Sequence, residues 1–521
     1  MNVGSLLTGA AQSVPEHIAI IYGNLRRSYR EVNARANSLA SALRRGGLAR
    51  GDRVAILQRN GPELLESLFG IFKAGLIAVP INARLHRKEF SYVITDAGAK
   101  AVIFTDDFND ALEAGRSDLP GATTAVCIGQ TPQWALAYEA FLEGGDPAQS
   151  DVHCDRSDIA WLFYTSGTTG KPKGAMVTHA NLQFMTDHYP REVYRLRDDD
   201  TVMHAGPLTH GSGLWALPIT AGGASQLIPT SARFDPEHIF KLIEAHRVTK
   251  IAFVTPTMIT MLLNSPAIDR YDLSSLCFIG YGGSPMYVED LKRAVRRWGP
   301  IFCQIYGQGE APMTISMLRP EDHRLSEDPL AEKRLGSAGR VREDITVAVL
   351  DENDRELGNE QIGEIAIRGE VVMRGYWNKP EATEEAFKNG WYHTGDLGKR
   401  DKDGYLYLLD RKKELIISGG SNIYPREVEE VLLLHPGVLE VAVIGIPDRL
   451  WGESVMAVIR PRPGANPTED ELTNLCREHL AGYKKPRFFR FVPDLPKSGY
   501  GKILKRELKD QVVTALKGSA A

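Results

Sequence analysis

A β-rich apolar run leads directly into a loop of glycines and hydroxyls at Ile159-Ala-Trp-Leu-Phe-Tyr-Thr-Ser-Gly-Thr-Thr-Gly-Lys-Pro-Lys-Gly174. The first part predicts a buried strand, and the glycines that follow allow close backbone approaches and unusual dihedral angles. Backbone N–H groups, hydroxyls and two lysines can together surround a polyphosphate. The spacing GTTGKP differs from the Walker A pattern GxxxxGK[ST]. We therefore predict a phosphate-binding loop of another kind at the carboxyl end of a strand.

Short apolar runs alternate with helical patterns through the first 310 residues. Strands are predicted at residues 53–57, 101–104, 159–164, 251–254, 277–279 and 301–306, and helices at 62–74, 180–188 and 287–298. Such alternation is typical of parallel sheets with helices on both faces, whose ligands bind at the carboxyl ends of the strands. The predicted fold class is therefore α/β, with a large N-terminal domain of parallel-type sheets and packed helices.

The pattern changes after about residue 335. Residues 345–350 and 363–369 predict a short β-rich subdomain of antiparallel strands. Strands at 438–445 and 454–460 and an amphipathic helix at 469–479 then predict a small α+β C-terminal domain. We place the boundary in the charged run Asp410-Arg-Lys-Lys-Glu414.

Composition excludes several classes of protein. The 521 residues include 62 Lys plus Arg and 66 Asp plus Glu, a balance that argues against nucleic acid as a partner. Five cysteines with wide spacing and no CxxC pair predict reduced thiols in a cytoplasmic protein. The start of the chain has no signal-peptide pattern. The longest apolar stretch, residues 68–81, contains Lys73 and predicts a buried helix rather than a transmembrane segment, while peripheral membrane contact stays open.

Further motifs follow the loop in a fixed order. They are Gly282-Gly-Ser-Pro285, Tyr306-Gly-Gln-Gly-Glu310, Gly363-Glu-Ile-Ala-Ile-Arg-Gly369, Gly390-Trp-Tyr-His-Thr-Gly-Asp396, Asp410-Arg-Lys-Lys-Glu414, Ser418-Gly-Gly-Ser-Asn-Ile-Tyr-Pro425 and Gly501-Lys502. Over nearly the whole chain, these motifs resemble the adenylate-forming superfamily of acyl-CoA synthetases, adenylation domains and firefly luciferase. The chain is most similar to a fatty-acid or aryl-acid CoA ligase.

The resemblance implies a reaction in two halves. A carboxylate attacks the α-phosphorus of ATP and releases pyrophosphate, and the thiol of coenzyme A then displaces AMP. It also implies an N-terminal domain at 1–410, a hinge at 411–413 around Lys413 and a mobile C-terminal domain at 414–521. Rotation of that domain would bring either Lys502 to the phosphates or Gly419 and Gly420 to the pantetheine channel.

Lys502 resembles the family's mobile catalytic lysine, a role that suits a point charge on a flexible stem. Glu310 would bind Mg²⁺, with the Thr165 hydroxyl as a second ligand, because one carboxylate plus substrate phosphates is a usual magnesium arrangement. Together with His210 of the acyl pocket, Lys502 and Glu310 are the predicted catalytic residues.

The nucleoside would be held by residues of three later motifs. Asp396 would accept both ribose hydroxyls, and Arg411 would reach the ribose or the phosphates unless it forms a salt bridge at the hinge. Tyr306 would stack on the adenine opposite Gly283-Ser-Pro285. The predicted ATP-binding residues are Thr165, Ser166, Gly167, Thr168, Thr169, Gly170, Lys171, Gly283, Ser284, Pro285, Tyr306, Gly307, Gln308, Gly309, Asp396, Arg411 and Lys502.

Gly309 departs from the family pattern, which commonly has threonine at this position. The glycine removes a hydroxyl that would contact the phosphate or the carboxylate, a hydrogen bond of about 0.5–1.5 kcal/mol. Water or Gln308 could substitute for it.

The acyl pocket is predicted between the segment His204-Ala-Gly-Pro-Leu-Thr-His-Gly-Ser-Gly-Leu-Trp215 and the strand that ends near Tyr281. This segment has no acidic residue to bind an α-amine and no basic residue to bind a second carboxylate. A medium- or long-chain fatty acid is the predicted substrate, with a benzoate- or cinnamate-type aryl acid as the alternative. His210 resembles the family's gating aromatic, or is a packed histidine. The predicted pocket residues are His210, Gly211, Ser212, Gly213, Trp215, Tyr281 and Gly282.

Only 19 residues follow Lys502, too few for a carrier domain, so coenzyme A is the expected acceptor. ATP and Mg²⁺ complete the expected cofactors, and the protein is expected to act as a monomer or homodimer. Two rivals remain: an adenylating enzyme that loads a separate carrier protein, and a non-enzymatic acyl- or nucleotide-binding relative.

Overall fold

The computed structural model describes residues 2–116, 121–165, 171–193, 195–231, 233–284, 286–498 and 503–518. The described helices are α1 Ser5–Ser13, α2 Tyr29–Arg45, α3 Pro62–Lys73, α4 Arg87–Ala97, α5 Asn109–Ala114, α6 Tyr138–Glu143, α7 His179–Glu192, α8 Gly211–Ala221, α9 Pro236–His246, α10 Pro256–Leu263, α11 Val288–Trp298, α12 Pro329–Leu335, α13 Pro380–Ala386, α14 Pro425–Leu432, α15 Glu469–His479 and α16 Lys505–Gly518.

The strands fall into four successive groups along the chain. The first is β1 Ile18–Tyr22, β2 Leu25–Ser28, β3 Arg53–Leu57, β4 Ile77–Pro80, β5 Ala101–Thr105, β6 Thr124–Ile128, β7 Leu136–Ala137, β8 Ile159–Thr165 and β9 Lys173–Thr178. The second is β10 Thr201–Met203, β11 Ser225–Leu227, β12 Lys250–Val254, β13 Phe278–Gly282, β14 Phe302–Gln308, β15 Ala311–Leu318 and β16 Arg340–Val341. The third is β17 Thr346–Leu350, β18 Gly363–Arg368, β19 Phe387–Lys388, β20 Trp391–Arg400 and β21 Leu406–Arg411. The fourth is β22 Ile416–Ser418, β23 Ser421–Ile423, β24 Val438–Asp448, β25 Gly452–Pro461 and β26 Phe488–Phe491.

Two large sheets with parallel centres form the N-terminal part. The nine-stranded sheet has the order β16-β15-β14-β13-β12-β10-β11-β1-β2, and the seven-stranded sheet has the order β7-β6-β5-β3-β4-β8-β9. Antiparallel pairs occur at their edges, as in β1–β2 and β8–β9. One hydrophobic core contains residues of both sheets and of helices α2, α3, α7 and α8 between them. The predicted α/β class is confirmed.

The remaining strands form two smaller sheets. Strands β17 to β21 make an antiparallel sheet, so the predicted β-rich subdomain is present. Strands β22 to β26 make a second sheet, which α14 and α16 contact and which has hydrophobic clusters of its own. This second sheet with α14 to α16 is the small α+β unit that the sequence predicts.

One predicted element is wrong. The apolar stretch 68–81 is not a single buried helix, because α3 ends at Lys73 and β4 begins at Ile77. Gly75 makes the turn at φ +69°, which a residue with a side chain resists. The Lys73 ammonium is buried and lies 2.9 Å from an oxygen of Asp151. Across the described ranges, no helix is long and apolar enough to cross a membrane. None of the five cysteines, all of them within the described residues, forms a disulfide, and only Cys277 is exposed.

Buried charges connect the fourth group of strands and helices to the rest of the chain. The Lys505 ammonium on α16 lies 2.9 Å from Glu429 Oε1 on α14. Asp410 on β21 and Glu414 lie 3.9 Å and 4.0 Å from the same nitrogen. Tyr287, just before α11, donates its hydroxyl to Glu429 Oε2 at 3.2 Å. Desolvated charges require such partners. This contact region around Lys505, the seam between the C-terminal unit and the rest of the chain, therefore depends on its ion pairs and hydrogen bonds.

Burial raises the pKa of Asp410 to about 7; Lys505 opposes this shift, while Glu429 and Glu414 add to it. A carboxyl whose pKa is raised on folding is more stable in its neutral form. Its contribution to stability is complete below the unfolded-state pKa and is lost as pH rises through about 7.

We therefore expect Asp410→Asn to gain stability relative to the parent protein as pH rises. Between about pH 5.5 and pH 8.5 the melting temperature of the variant should increase by about 2 °C or more relative to the parent. Thermal unfolding followed by circular dichroism at several pH values measures this difference. Asp494→Asn removes an exposed carboxylate of the C-terminal unit and is the control. A difference that stays constant with pH would contradict the shifted pKa of Asp410.

Candidate functional site

A cavity of about 740 Å³ lies where the ends of β13 and β14 meet β20, β21 and the C-terminal unit. Six of the predicted ATP-binding residues line it: Gly283, Ser284, Tyr306, Gly307, Asp396 and Arg411. The C-terminal unit contributes Arg426, Lys497 and Ile503. The structure thus brings together residues that are more than 100 positions apart in sequence, in a space between the two parts of the chain.

A buried carboxylate organises one wall of this cavity. Asp396 Oδ2 accepts hydrogen bonds from the Tyr306 hydroxyl and from Gln308 Nε2, both at 2.6 Å. Asp396 Oδ1 lies 2.7 Å from Arg411 Nε. Tyr306 and Gln308 are two positions apart on β14 and so share a face, and Asp396 on β20 pairs directly with Arg411 on β21. Burial, and then the charge of Asp396, raises the pKa of Tyr306, which keeps its hydroxyl a donor.

Glu310, directly after β14, forms a second buried centre. Its Oε1 accepts hydrogen bonds from the hydroxyls of Thr165 and Tyr376, both at 2.9 Å. Within the described ranges no hydrogen bond reaches its other oxygen, Oε2. Two predicted metal-binding residues therefore lie in direct contact, although they are 145 positions apart in sequence.

Two tyrosines of this region were missed by the sequence analysis. Tyr376 bonds Glu310, and Tyr392 donates its hydroxyl to Gln308 Oε1 at 2.9 Å. Tyr392 belongs to the quoted motif Gly390-Trp-Tyr-His-Thr-Gly-Asp396, so its position was a usable signal. Nothing in the sequence distinguishes Tyr376 from a surface aromatic.

Several predicted residues lie outside the described part of the chain: Ser166, Gly167, Thr168, Thr169, Gly170, Pro285 and Lys502. Residues on either side of these positions are described. The Lys171 ammonium lies 5.3 Å from the centre of the Tyr92 ring. Ile503, next to Lys502, lines the same cavity as Tyr306.

The predicted acyl segment forms the start of α8. His210 is half-buried, and its ring lies 4.8 Å from the Phe163 ring, centre to centre. Burial lowers the pKa of His210 to about 4, so the imidazole is neutral near pH 7. Ser212 Oγ lies 2.9 Å from Nδ1 of the buried His204. Gly213 packs tightly, because a Cβ there would overlap the Leu208 carbonyl.

The other wall of this region is one face of β13. Gly280 and Gly282 alternate along β13 and share one face. A Cβ at Gly280 would lie 2.9 Å from the Trp215 ring of α8, and one at Gly282 would lie 3.2 Å from the Phe253 ring of β12. Tyr281 was predicted in this pocket, but strand alternation turns its side chain to the opposite face. There its hydroxyl lies 3.1 Å from Gln304 Oε1 and 2.9 Å from His323 Nε2. Phe253, which the sequence analysis did not predict, lies on the side of Gly280 and Gly282, opposite to the side chain of Tyr281.

Of the predicted hinge 411–413, Arg411 lines the cavity, whereas Lys413 and the predicted channel residues Gly419 and Gly420 are not part of its lining. Lys413 is exposed in a short 3-10 turn between β21 and β22. Gly419 and Gly420 form the turn between β22 and β23 with φ angles of +57° and +79°, which favour glycine. The Gly419 backbone packs against the indole of Trp451.

Comparisons with known proteins identify the family of the chain. Residues 7–377 match the family described as AMP-binding enzyme, and residues 427–502 match the AMP-binding enzyme C-terminal domain. A feruloyl-CoA synthase of Amycolatopsis sp is 37% identical over 98% of both chains. A long-chain-fatty-acid–CoA ligase of Mycobacterium tuberculosis is 34% identical, also over 98% of both. The crystal structure of an anthranilate CoA ligase with anthranoyl-AMP covers 99% of this chain and 98% of its own, with 27% identity and a TM-score of 0.91.

The chain therefore belongs to the AMP-binding enzyme family. It is an AMP-forming acid–thiol ligase, as the sequence resemblance predicted.

Loss of the charge on Asp396 should weaken nucleotide binding. We expect Asp396→Asn to raise the KM for ATP about 30-fold, because charged hydrogen bonds worth about 2 kcal/mol are lost. Pyrophosphate exchange at varied ATP concentration measures this effect. Asp403→Asn, at an exposed carboxylate on the turn between β20 and β21, is the matched control and should stay within about twofold of the parent protein. An unchanged KM for ATP in the Asp396 variant would exclude this carboxylate from the nucleotide site.

Proposed function

We propose that this protein is an aryl acid–CoA ligase, which converts an aromatic carboxylic acid, ATP and coenzyme A into an aryl-CoA, AMP and pyrophosphate. The observation that carries this choice of substrate is the aromatic lining of the predicted acyl region. Phe253, Phe163, His210 and Trp215 surround the glycine face of β13 and the start of α8. Flat rings pack well between such walls.

Trp215 limits the depth of this region. Its indole is 1% exposed and packs edge-on against Tyr189, with ring centres 4.5 Å apart. It also packs against Phe278 and covers Gly280. A long acyl chain would need this volume, and interiors are too closely packed to supply it without moving the indole. A short, flat acid needs no such movement.

The relatives support the same substrate class without deciding it. The feruloyl-CoA synthase and the anthranilate CoA ligase are named for aryl acids, and both match this chain over nearly its full length. The fatty-acid ligase of similar identity favours the second candidate, a medium- or long-chain fatty acid.

In the proposed first half-reaction the cavity binds ATP. The adenine lies between the Tyr306 ring and the Gly283-Ser284 backbone, and the ionised Asp396 accepts the ribose hydroxyls. Arg411, beside Asp396, adds positive charge near the phosphates. The loop from Thr165 to Lys171 surrounds the phosphates together with Lys502, which neutralises charge that develops during attack by the carboxylate.

Glu310 and Thr165 suit Mg²⁺. The carboxylate supplies a hard oxygen ligand, and its Oε2 is the oxygen without a hydrogen bond within the described ranges. A magnesium ion held there would neutralise phosphate charge. The hydrogen bonds from Thr165 and Tyr376 would keep the carboxylate in one orientation.

His210 would act as a neutral wall beside the acid rather than as a cation, because its pKa of about 4 leaves it uncharged. In the second half-reaction, rotation about Lys413 would bring Gly419 and Gly420 toward the reactive carbonyl and admit the coenzyme A thiol.

The test is a substrate panel. Pyrophosphate and AMP release should be measured with cinnamate-type, benzoate-type and indole acids and with fatty acids of six to sixteen carbons, with and without coenzyme A. We expect kcat/KM for the best aryl acid to exceed that for the best fatty acid by about tenfold or more. Lys502→Ala should abolish acid-dependent pyrophosphate release, and Lys509→Ala, on the terminal helix α16, should not.

Other outcomes have distinct meanings. Preference for a fatty acid would replace the proposed substrate class by the second candidate. Pyrophosphate exchange without coenzyme A-dependent turnover would indicate a carrier-protein acceptor. No activity on any acid would support a non-enzymatic relative.

Shortening the side chain at Trp215 should extend the acyl region. We expect Trp215→Leu to raise the ratio of kcat/KM for dodecanoate to that for cinnamate about tenfold, because the space behind Gly280 opens. Trp298→Leu, in another hydrophobic cluster, is the matched control for loss of an indole. An unchanged ratio in the Trp215 variant would show that this indole does not limit the pocket.

A further inference from the structure

One face of β8 connects the phosphate side of the site with the acyl side. Trp161, Phe163 and Thr165 alternate along the strand and therefore share this face. The Trp161 and Phe163 rings stack with centres 6.0 Å apart, and the Phe163 ring continues to His210 at 4.8 Å. Thr165 Oγ1 donates to Glu310 at 2.9 Å. A row of rings thus leads from the core to His210, and the next residue of the same face contacts Glu310.

Gly309 lies against the side chains of Phe163 and Thr165 on this face. A Cβ at this position would lie 2.5 Å from Phe163 Cδ1 and 2.6 Å from Thr165 Cγ2. Real side chains do not approach so closely, so one of these neighbours would have to move. The Phe163 ring is 4% exposed and lies between Trp161 and His210, which leaves it little freedom. The Thr165 side chain is oriented by its bond to Glu310.

We propose that Gly309 and Phe163 are a matched pair that positions His210 beside the bound acid. Gly309 provides the space that the Phe163 ring fills, and the ring holds the imidazole in place from behind. Phe163 is thus a positioning residue for the acid, acting through His210. The absence of the family's common threonine is then a packing requirement of Phe163 rather than a loss of function. This inference rests on the proposed function only in placing His210 at the acyl pocket.

The matched pair predicts which substrate is affected. A side chain at position 309 would push the Phe163 ring toward His210, and the bound acid would lose the imidazole that holds it in place. Among the described residues, no ring contact joins Phe163 to Tyr306. In Phe163→Val the KM for the acid should therefore change while the KM for ATP does not, a separation that a general loss of stability would not produce.

The experiment is a double-mutant cycle of Gly309→Ala and Phe163→Val in the full-length enzyme, using the acid that the parent enzyme activates best. Valine keeps a β-branched residue in the strand and removes the ring atoms that would meet the new methyl group. We expect Gly309→Ala to lower kcat/KM for the acid about tenfold or more, and Phe163→Val to keep the KM for ATP within about twofold of the parent. The double variant should return to within about threefold of Phe163→Val alone.

Thr165→Ser combined with Gly309→Ala is the matched control. Serine keeps the hydroxyl that bonds Glu310 and removes only the methyl group, so it should not rescue Gly309→Ala. Rescue by serine equal to that by valine would overturn the assignment of Phe163. Parent-like activity of Gly309→Ala, or a double variant whose loss equals the product of the two single losses, would also overturn it.

Two further readouts keep the test decisive. If Gly309→Ala does not fold, Phe163→Val alone should raise the KM for the acid at least about threefold without changing that for ATP, and an unchanged KM for the acid would overturn the proposal. The melting temperatures of the variants in the cycle can be measured without any substrate. The decrease in melting temperature caused by Gly309→Ala should be largely recovered in the double variant. A parent enzyme that prefers fatty acids would refute the proposed substrate class and still allow the cycle to be measured.

Discussion

Two buried carboxylates hold the three N-terminal sheets in register around the cavity. Asp396 connects β14 of the nine-stranded sheet to β20 and β21 through Tyr306, Gln308 and Arg411. Glu310, two positions after Gln308, connects the end of the same strand to Thr165 of the seven-stranded sheet. Burial makes an unpaired carboxylate costly, so each one fixes the donors around it. The same donors line the proposed nucleotide site, so the contacts that assemble the sheets also shape the cavity.

Much of the fold could be predicted because local sequence determines it. The predicted strands at 53–57 and 101–104 appear almost unchanged as β3 and β5, and the helix at 469–479 appears as α15. Each has a strong apolar pattern bounded by turn residues or a helix cap. The stretch 68–81 failed because periodicity does not separate a buried helix from a helix end followed by a buried strand. Only the turn at Gly75 distinguishes a single buried helix from the observed helix followed by a strand.

The site was predictable where chemistry follows from residue type within a motif. The adjacency of Glu310 to Thr165, and of Asp396 to Arg411, was expected from the family resemblance, and both contacts are present. Residues that depend on which side of a strand they face were not predictable. Tyr281 was placed in the acyl pocket from proximity in sequence, whereas the pleat of β13 turns it to the opposite face. Phe253 and Tyr376 enter through packing between distant segments, for which one sequence contains no signal.

The seam at Lys505 is stabilised by charged groups, unlike the apolar core of the N-terminal part. One half-buried ammonium faces three carboxylates, of Glu429, Asp410 and Glu414, and burial, with the charges of the two glutamates, raises the pKa of Asp410 against the effect of Lys505. A fully optimised apolar interface would bind the C-terminal unit more firmly, since replacing buried ion pairs by packed apolar residues is often stabilising. The proposed rotation between two half-reactions would instead require contacts that water can replace, and charged groups regain hydration when they separate. Lys505 lies only three residues after Lys502 in sequence, so the proposed rotation would have to break and remake the ion pairs of this seam.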